Sequence, residues 1–174
     1  MKIYRAISTD DHLMEAADSY TSRMPAKWGE MIPQVRDTGD GTDAWYVYDR
    51  RITSLVGFSF VQGVTPDRDV VVRWADVPKS AYVPAERIKA MDADGVDVHS
   101  FYPNVGNVQT LNDSKAPEAL RLDALRACNA IQIDDYVKPF PGRFIAIAVV
   151  PLWAPTRRSR KGVAFAFPHP SADR

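Results

Sequence analysis

The run Phe144-Ile145-Ala146-Ile147-Ala148-Val149-Val150 consists entirely of apolar residues and lies between Gly142 and Pro151. A run of this length, rich in β-branched residues, predicts a β-strand. Continuous apolar strands are typical of a parallel sheet with both faces covered, because no position then has to face water. This stretch therefore predicts an α/β fold.

Further strands and helices alternate along the chain. Residues 3–7, 96–102 and 163–167 each show a strand-like pattern. A first helix is predicted between Pro84, which suits an initial helical turn, and Gly95, which suits the left-handed position after a helix. A second helix is predicted from Ser114 to about Tyr136. Strands that alternate with helices predict a parallel sheet with right-handed crossovers.

A β-hairpin is expected between the first strand and the first helix. Residues 44–48 and 52–56 are aromatic and β-branched runs on either side of Asp49-Arg50-Arg51. Such runs around a polar turn are typical of a hairpin. Residues 57–80 show no clear period, and we interpret them as the rest of a long excursion after the first strand.

Composition excludes several classes of protein. The chain has 174 residues, with 22 basic and 22 acidic side chains and no net charge. A neutral chain has no electrostatic basis for binding nucleic acid or an anionic membrane. The single cysteine, Cys128, cannot form an internal disulfide, and no apolar run is long enough to span a bilayer. We expect a protein of the reducing cytoplasm.

Two metal-competent side chains follow the first strand. Asp10 and His12 form an Asp-x-His pair, and side chains two residues apart in an extended strand point the same way. A carboxylate oxygen and an imidazole nitrogen suit zinc, manganese or iron. Because a catalytic metal usually has three protein ligands and one open position, this pair would form only part of a site.

The chain resembles the amidohydrolase-related family, and within it the branch of aminocarboxymuconate-semialdehyde decarboxylase and related aromatic-acid decarboxylases and hydrolases. The resemblance runs in order from about Ile7 to Trp153. It is carried by Asp10-x-His12-x-x-Glu15, Arg23-x-Pro25, Arg87-x-x-x-Met91-Asp92-x-x-Gly95-Val96-Asp97, Tyr102-Pro103-Asn104, Cys128-Asn129, and Pro141-Gly142-Arg143-Phe144 leading into Val149-Val150-Pro151-Leu152.

This resemblance implies a metal-dependent (β/α)₈ TIM barrel with the metal at the carboxyl ends of the strands. Asp10 and His12 match the family's metal ligands, and Glu15 matches a position near the site. The implied cofactor is a divalent metal, with zinc favoured over manganese or iron. The implied reaction is hydrolysis or non-oxidative decarboxylation of a small cyclic or aromatic carboxylated substrate, and no other substrate-binding or catalytic residue is assigned.

The chain also departs from the family pattern. Members of the family take a further metal-binding His from strand five and an essential Asp from strand eight. A full barrel needs roughly 250 residues, and this chain has 174. We therefore expect residues 1–174 to form one incomplete domain, a partial barrel of about the first four βα units with a β-hairpin excursion after strand 1. Residues 151–174 are interpreted as a divergent, truncated or frameshifted tail. The open sheet edges of such a partial barrel favour homo-oligomers.

Each candidate residue has a structural alternative. His99, in the second predicted strand, is interpreted as a structural histidine, and His169 as an exposed residue of the tail. Cys128 lies on a helix stripe with Leu122 and Leu125 and is expected to pack in the core rather than act as a nucleophile. The alternative to a metal-dependent enzyme is a non-catalytic barrel remnant that keeps the family pattern without its chemistry.

Overall fold

The computed structural model of the chain describes residues 6–54, 73–106, 111, 113, 115–151 and 153. In chain order the helices and strands are β1 (Ile7–Leu13), β2 (Gln34–Asp37), β3 (Asp43–Val47), β4 (Arg50–Ser54), α1 (Lys79–Tyr82), α2 (Pro84–Asp94), β5 (Val98–Pro103), α3 (Glu118–Ala130) and β6 (Phe144–Ala146). Short 3₁₀ segments lie at Ala26–Met31 and Trp74–Asp76, and a π-helical segment, Ile131–Val137, continues α3.

Two sheets are present in the described part of the chain. β1, β5 and β6 form a parallel sheet in the order β1-β5-β6. β2, β3 and β4 form an antiparallel sheet in the order β2-β3-β4. The parallel sheet and its intervening helices confirm the α/β class.

The predicted hairpin is present but has a different turn. β3 and β4 turn at Tyr48 and Asp49, whose φ angles of 54° and 62° are left-handed, rather than around Asp49-Arg50-Arg51. Two left-handed residues in succession give a type I′ turn, which matches the twist of the flanking strands. The third strand of this sheet, β2, was not anticipated.

The first strand begins later than predicted. β1 starts at Ile7 and runs through Leu13, so Asp10 and His12 lie in its carboxyl-terminal half, at the end of the first strand as predicted. The pairing with β5 explains this, because the register extends to Leu13 opposite Pro103. Residues 3–5 lie outside the described residues.

The first predicted helix is confirmed. α2 begins at Pro84 and is followed by Gly95, whose φ of 72° is left-handed and whose amide donates to the Asp92 and Met91 carbonyls. The second helix starts at Glu118 and continues through the π-helical segment to Val137. Its predicted first residue, Ser114, lies outside the described residues, as does the strand predicted at 163–167.

Helical side chains cover one face of the parallel sheet. The rings of Phe101, Tyr136 and Phe144 pack together with centroid separations of 5.2 to 5.6 Å. On the other face Tyr102 and Ile145 are 40% and 43% exposed. Among the described residues, this face of the sheet is thus left partly uncovered, as expected for a partial barrel.

The strand predicted at residues 144–150 is also shorter. β6 ends at Ala146, and the following residues are held by side chains of the helical layer instead of by a neighbouring strand. Asn129 both donates to the Val149 carbonyl and accepts from the Val149 amide, each at 2.9 Å. Gln132 accepts from the Ile147 amide at 3.0 Å.

Among the described residues, no helix combines the length and apolar character that a membrane crossing requires.

Candidate functional site

Asp10 and His12 lie in the last half of β1, towards the carboxyl edge of the parallel sheet. The β1–β5 register shifts between Ser8 and Asp11, so Asp10 lies in an irregular segment. Asp10 is exposed, and His12, opposite Tyr102 on β5, is half-buried. Regular alternation therefore does not fix the direction of Asp10 relative to His12, contrary to the strand argument made from the sequence.

The imidazole of His12 is oriented by Asn104, the first residue after β5. Its Nδ1 lies 2.8 Å from Asn104 Oδ1. With the amide oxygen as acceptor, Nδ1 carries the proton and the lone pair of the neutral ring is on Nε2. A hydrogen bond of this kind at the second nitrogen is usual for histidines that bind metals.

The backbone at His12 is held by a half-buried arginine of α2, Arg87. Arg87 Nη2 donates to the His12 carbonyl at 3.0 Å and to the Ala81 carbonyl at 3.3 Å. Burial lowers the pKa of the Arg87 guanidinium, and the charge of Asp11 opposes this effect. Arg87 therefore joins the end of β1 to α1 and fixes the position of His12 in the strand.

Asp11 and His99 form a second pair on the side of the sheet that faces the helices. Asp11 Oδ1 lies 3.5 Å from His99 Nδ1, and His99 is 9% exposed. Burial lowers the pKa of His99, while the charge of Asp11 raises it. The space lined by His12, Arg87, His99 and Tyr136 is no larger than a water molecule, so it excludes an organic substrate.

Glu15 is 1% exposed and binds the loop that follows β5. Its carboxylate accepts from the Val105 amide at 3.0 Å, from the Gly106 amide at 2.7 Å and from the Tyr20 hydroxyl at 3.2 Å. Burial raises the pKa of Glu15, although all these hydrogen bonds oppose the shift. Glu15 thus supports the loop that presents Asn104 to His12.

Cys128 packs against this loop. Its thiol is buried, and burial raises its pKa, so it stays protonated and inert. The interpretation of Cys128 as a core residue is confirmed. His169 lies outside the described residues.

Several motif residues hold the sheet together from its opposite edge. Arg143 Nη2 pairs with Asp92 Oδ1 at 2.6 Å, and Arg143 Nε donates to the Asp97 carbonyl at 2.7 Å. Asp97 Oδ2 in turn accepts from the Ala6 amide at 3.1 Å.

The roles of Arg87 and Asn104 at His12 were not anticipated, although both residues lie in the motifs that carry the family resemblance.

The described residues do not by themselves form a metal site. Within residues 6–54, 73–106 and 115–151, no group of three His, Cys, Asp or Glu side chains is placed to hold an ion. Asp10 and the oriented His12 are donors of a suitable kind, but they are two where a catalytic metal usually needs three.

Known proteins were compared with this chain at the levels of family, sequence and structure. No protein-family model matches the chain, and no curated protein matches it. A solved amidohydrolase from Mycobacterium avium subsp. paratuberculosis K-10 is similar in structure, with a TM-score of 0.62 and 22% sequence identity. The similarity covers 92% of this chain and 46% of that protein, so this chain spans about half its length. At this identity the likeness establishes the fold, which is consistent with part of an α/β barrel.

Proposed function

We propose that this chain corresponds to the amino-terminal strands of an amidohydrolase-type barrel enzyme, and that Asp10 and His12 are two ligands of its divalent metal. The observation that carries the proposal is the hydrogen bond between His12 Nδ1 and Asn104 Oδ1, at the carboxyl edge of a parallel sheet. In barrels of this kind the active site lies at that edge. The structural likeness to a solved amidohydrolase supports the same assignment.

The proposed reaction is hydrolysis or non-oxidative decarboxylation of a small cyclic or aromatic carboxylate, as in the branch of aminocarboxymuconate-semialdehyde decarboxylase. Zinc is the favoured metal, and it would supply a polarised water or substrate group when bound. The residues of this chain would position His12 through Asn104 and Arg87, and any further ligands would have to come from outside its described part.

The experiment is zinc titration of the 174-residue chain, followed by passage over a chelating resin. We expect weak binding that the resin removes, because two protein donors leave most of the ion's coordination to water. Asp10→Ala and His12→Ala should each abolish this binding, whereas His99→Ala should retain it. Binding that survives both substitutions, or is lost on His169→Ala, would contradict the assignment.

A second experiment joins this chain to the carboxyl-terminal half of a related barrel. Zinc should then bind stoichiometrically, and Asn104→Ala should weaken that binding by about 10- to 100-fold, the usual effect of removing a partner that orients a metal ligand. His12→Ala should abolish it. Unchanged zinc affinity in both variants would mean that His12 is not a ligand.

The alternative is a non-catalytic barrel remnant, and two observations favour it. The described residues contain no three-ligand group, and Ile7, Tyr102 and Ile145 are exposed although large and apolar. Such a surface also favours association between copies of the chain. If the joined barrel bound zinc through His12 but had no turnover on any aromatic carboxylate, the remnant would be the better description.

A further inference from the structure

Arg121 is a buried cation whose hydrogen-bonding capacity is not met by the described residues. It lies in the first turns of α3, is 8% exposed, and its guanidinium carbon lies 4.0 Å from the centre of the Trp153 ring. Its Nε is enclosed and has no hydrogen-bond partner there. A guanidinium stays charged, so enclosing one of its N–H groups without an acceptor is costly.

Trp153, the aromatic partner of Arg121, also has a donor without a hydrogen-bond acceptor among the described residues. Its indole Nε1 is also enclosed and has no hydrogen-bond partner among the described residues. The stack therefore brings together two kinds of donor, guanidinium and indole, with no acceptor from that part of the chain. Buried donors are nearly always satisfied in folded proteins, so a pair of orphans at one place indicates a missing acceptor.

In the described part of the chain, neither the neighbouring carboxylate of Asp113 nor the hydroxyl of Tyr48 supplies that acceptor. The carboxylate of Asp113 pairs with Arg50 and accepts from the Lys115 amide at 2.9 Å. Tyr48 lies close enough for the charge of Arg121 to oppose the rise in its pKa that burial causes, but its hydroxyl donates to the Leu111 carbonyl at 3.0 Å.

The pair also lies towards the carboxyl edge of the parallel sheet, the edge near which Asp10 and His12 are. Tyr136, at the end of the helix, packs on Phe101 and Phe144 in the sheet, whereas Cys128, earlier in the helix, already contacts the loop beyond β5. The first turns of α3 therefore extend past the carboxyl edge. Trp153 follows Val149, which lies beyond the end of β6.

We propose that Arg121 and Trp153 form a binding site for the carboxylate of a small organic acid. A planar guanidinium matches a carboxylate with two parallel hydrogen bonds, and the indole N–H can donate to the same anion. The Trp153 ring covers one face of the guanidinium and strengthens its field by excluding water. That this acid is the substrate rests on the function proposed above; the carboxylate site itself stands on the two orphaned donors.

The experiment uses sodium benzoate as the probe and benzamide as its uncharged counterpart. In the wild-type chain, benzoate should shift the Trp153 indole N–H signal in a nitrogen-15 NMR titration, and benzamide should not. The signal is assigned by its loss in Trp153→Phe. No shift with benzoate, or an equal shift with benzamide, would overturn the proposal.

Three variants separate binding from folding. Arg121→Met should weaken benzoate binding at least about tenfold, since hydrogen bonds to a charged group are lost. Arg121→Lys should give an intermediate loss, because it keeps the charge without the planar fork. Arg126→Met is the matched control, since that arginine is 67% exposed and pairs only with Asp123 in the described structure, and it should bind benzoate like the wild type.

Thermal melting distinguishes a binding arginine from a structural one. Because Arg121→Met removes a buried cation whose Nε has no acceptor among the described residues, the melting temperature of this variant should equal or exceed that of the wild type. A clear fall in melting temperature together with unchanged benzoate binding would overturn the proposal. If benzoate binding depends on Arg121 while zinc binding does not depend on Asp10 or His12, the carboxylate site stands and the proposed function fails.

Discussion

Glu15 Oε1 lies 2.7 Å from the amide nitrogen of Gly106, which ties the chain after β1 to the loop after β5. The approach is possible only because Gly106 has no side chain. A Cβ atom there would lie 2.2 Å from Cys128 Sγ, 2.7 Å from the Tyr20 hydroxyl and 3.1 Å from Glu15 Oε1. The loop that carries Asn104 is thus fixed by close contact with buried polar groups.

Gly106→Ala should destabilise the fold by about 1–3 kcal/mol, the usual cost of forcing extra atoms into a packed core. Urea denaturation followed by circular dichroism measures this loss. Cys128→Ala in the same chain should recover part of it, since it removes the nearest atom but leaves Tyr20. Gly142→Ala is not a suitable comparison because φ at Gly142 is 78°, which is strained for any residue with a Cβ. A Gly106→Ala protein as stable as the wild type would contradict the packing described.

Glu15 should make stability fall with rising pH above about 4.5. Burial raises its pKa above the ordinary value of 4.5, so the folded state holds the proton more tightly than the unfolded state. The stabilisation is complete below 4.5 and is lost as pH rises through the folded pKa. Three other carboxyl groups have lowered pKa values, those of Asp37, Asp40 and Asp113. Their contributions to stability therefore change only below about pH 3.8.

The measurement is the free energy of unfolding of the wild type minus that of Glu15→Gln, taken at several pH values from about 4 upwards. His99 has the opposite effect, because its lowered pKa makes the free energy of unfolding rise as the pH rises towards 6.5. The subtraction removes this contribution, since both proteins contain His99. We expect the difference to fall as pH rises. A difference that rises would mean that the hydrogen bonds from Val105, Gly106 and Tyr20 outweigh burial.

The helix from Pro84 to Gly95 could be predicted because its limits are local. Proline suits the first helical turn and glycine the left-handed residue after the last, and neither depends on the rest of the molecule. The limits of β1 and β6 depend on distant partners. β1 extends to Leu13 because Pro103 lies beside it, and β6 stops at Ala146 because the amides of Asn129 and Gln132 bind the chain beyond.

For the same reason, the sequence named the metal-competent pair but not its supports. Asp-x-His is visible as a spacing, whereas Asn104 and Arg87 reach His12 from 92 and 75 residues away in the chain. The register shift between Ser8 and Asp11 arises from the pairing with β5, and no local pattern reveals it. The sequence does not point to Arg121, because a buried arginine whose Nε has no acceptor among the described residues can be recognised only when its surroundings are known.

Arg87→Met should lower the free energy of unfolding by about 1–3 kcal/mol, because the carbonyls of His12 and Ala81, in a partly buried position, each lose a donor. Arg87→Lys should restore only part of the stability, since both hydrogen bonds come from the single nitrogen Nη2 and the ammonium that would replace it stands on a shorter side chain. Lys89→Met on the same helix is the control, because Lys89 is 70% exposed and pairs only with Glu86 in the described structure. Equal stability of the Arg87→Met and Lys89→Met proteins in urea would show that the two hydrogen bonds contribute little.

Asn129→Asp should lower the free energy of unfolding by more than the loss of one neutral hydrogen bond would, because it disturbs the contact that holds the chain after β6. The asparagine amide acts as a substitute strand, since it accepts from the Val149 amide and donates to the Val149 carbonyl, both at 2.9 Å. An aspartate can accept from the amide but would face the carbonyl oxygen with a second acceptor. A buried acceptor without a donor costs about 1–3 kcal/mol, and more when it is charged.

The cost should shrink at acidic pH, because the introduced carboxyl group, once protonated, regains a donor for the Val149 carbonyl. Denaturation of Asn129→Asp at about pH 4 and about pH 7, on either side of the expected titration, measures this recovery against the wild type. Asp134→Asn, the opposite exchange at a half-exposed position in the helical continuation of α3, is the control and should change stability little at either pH. A deficit in Asn129→Asp that is the same at both pH values would show that the lost stability does not come from the contact with Val149.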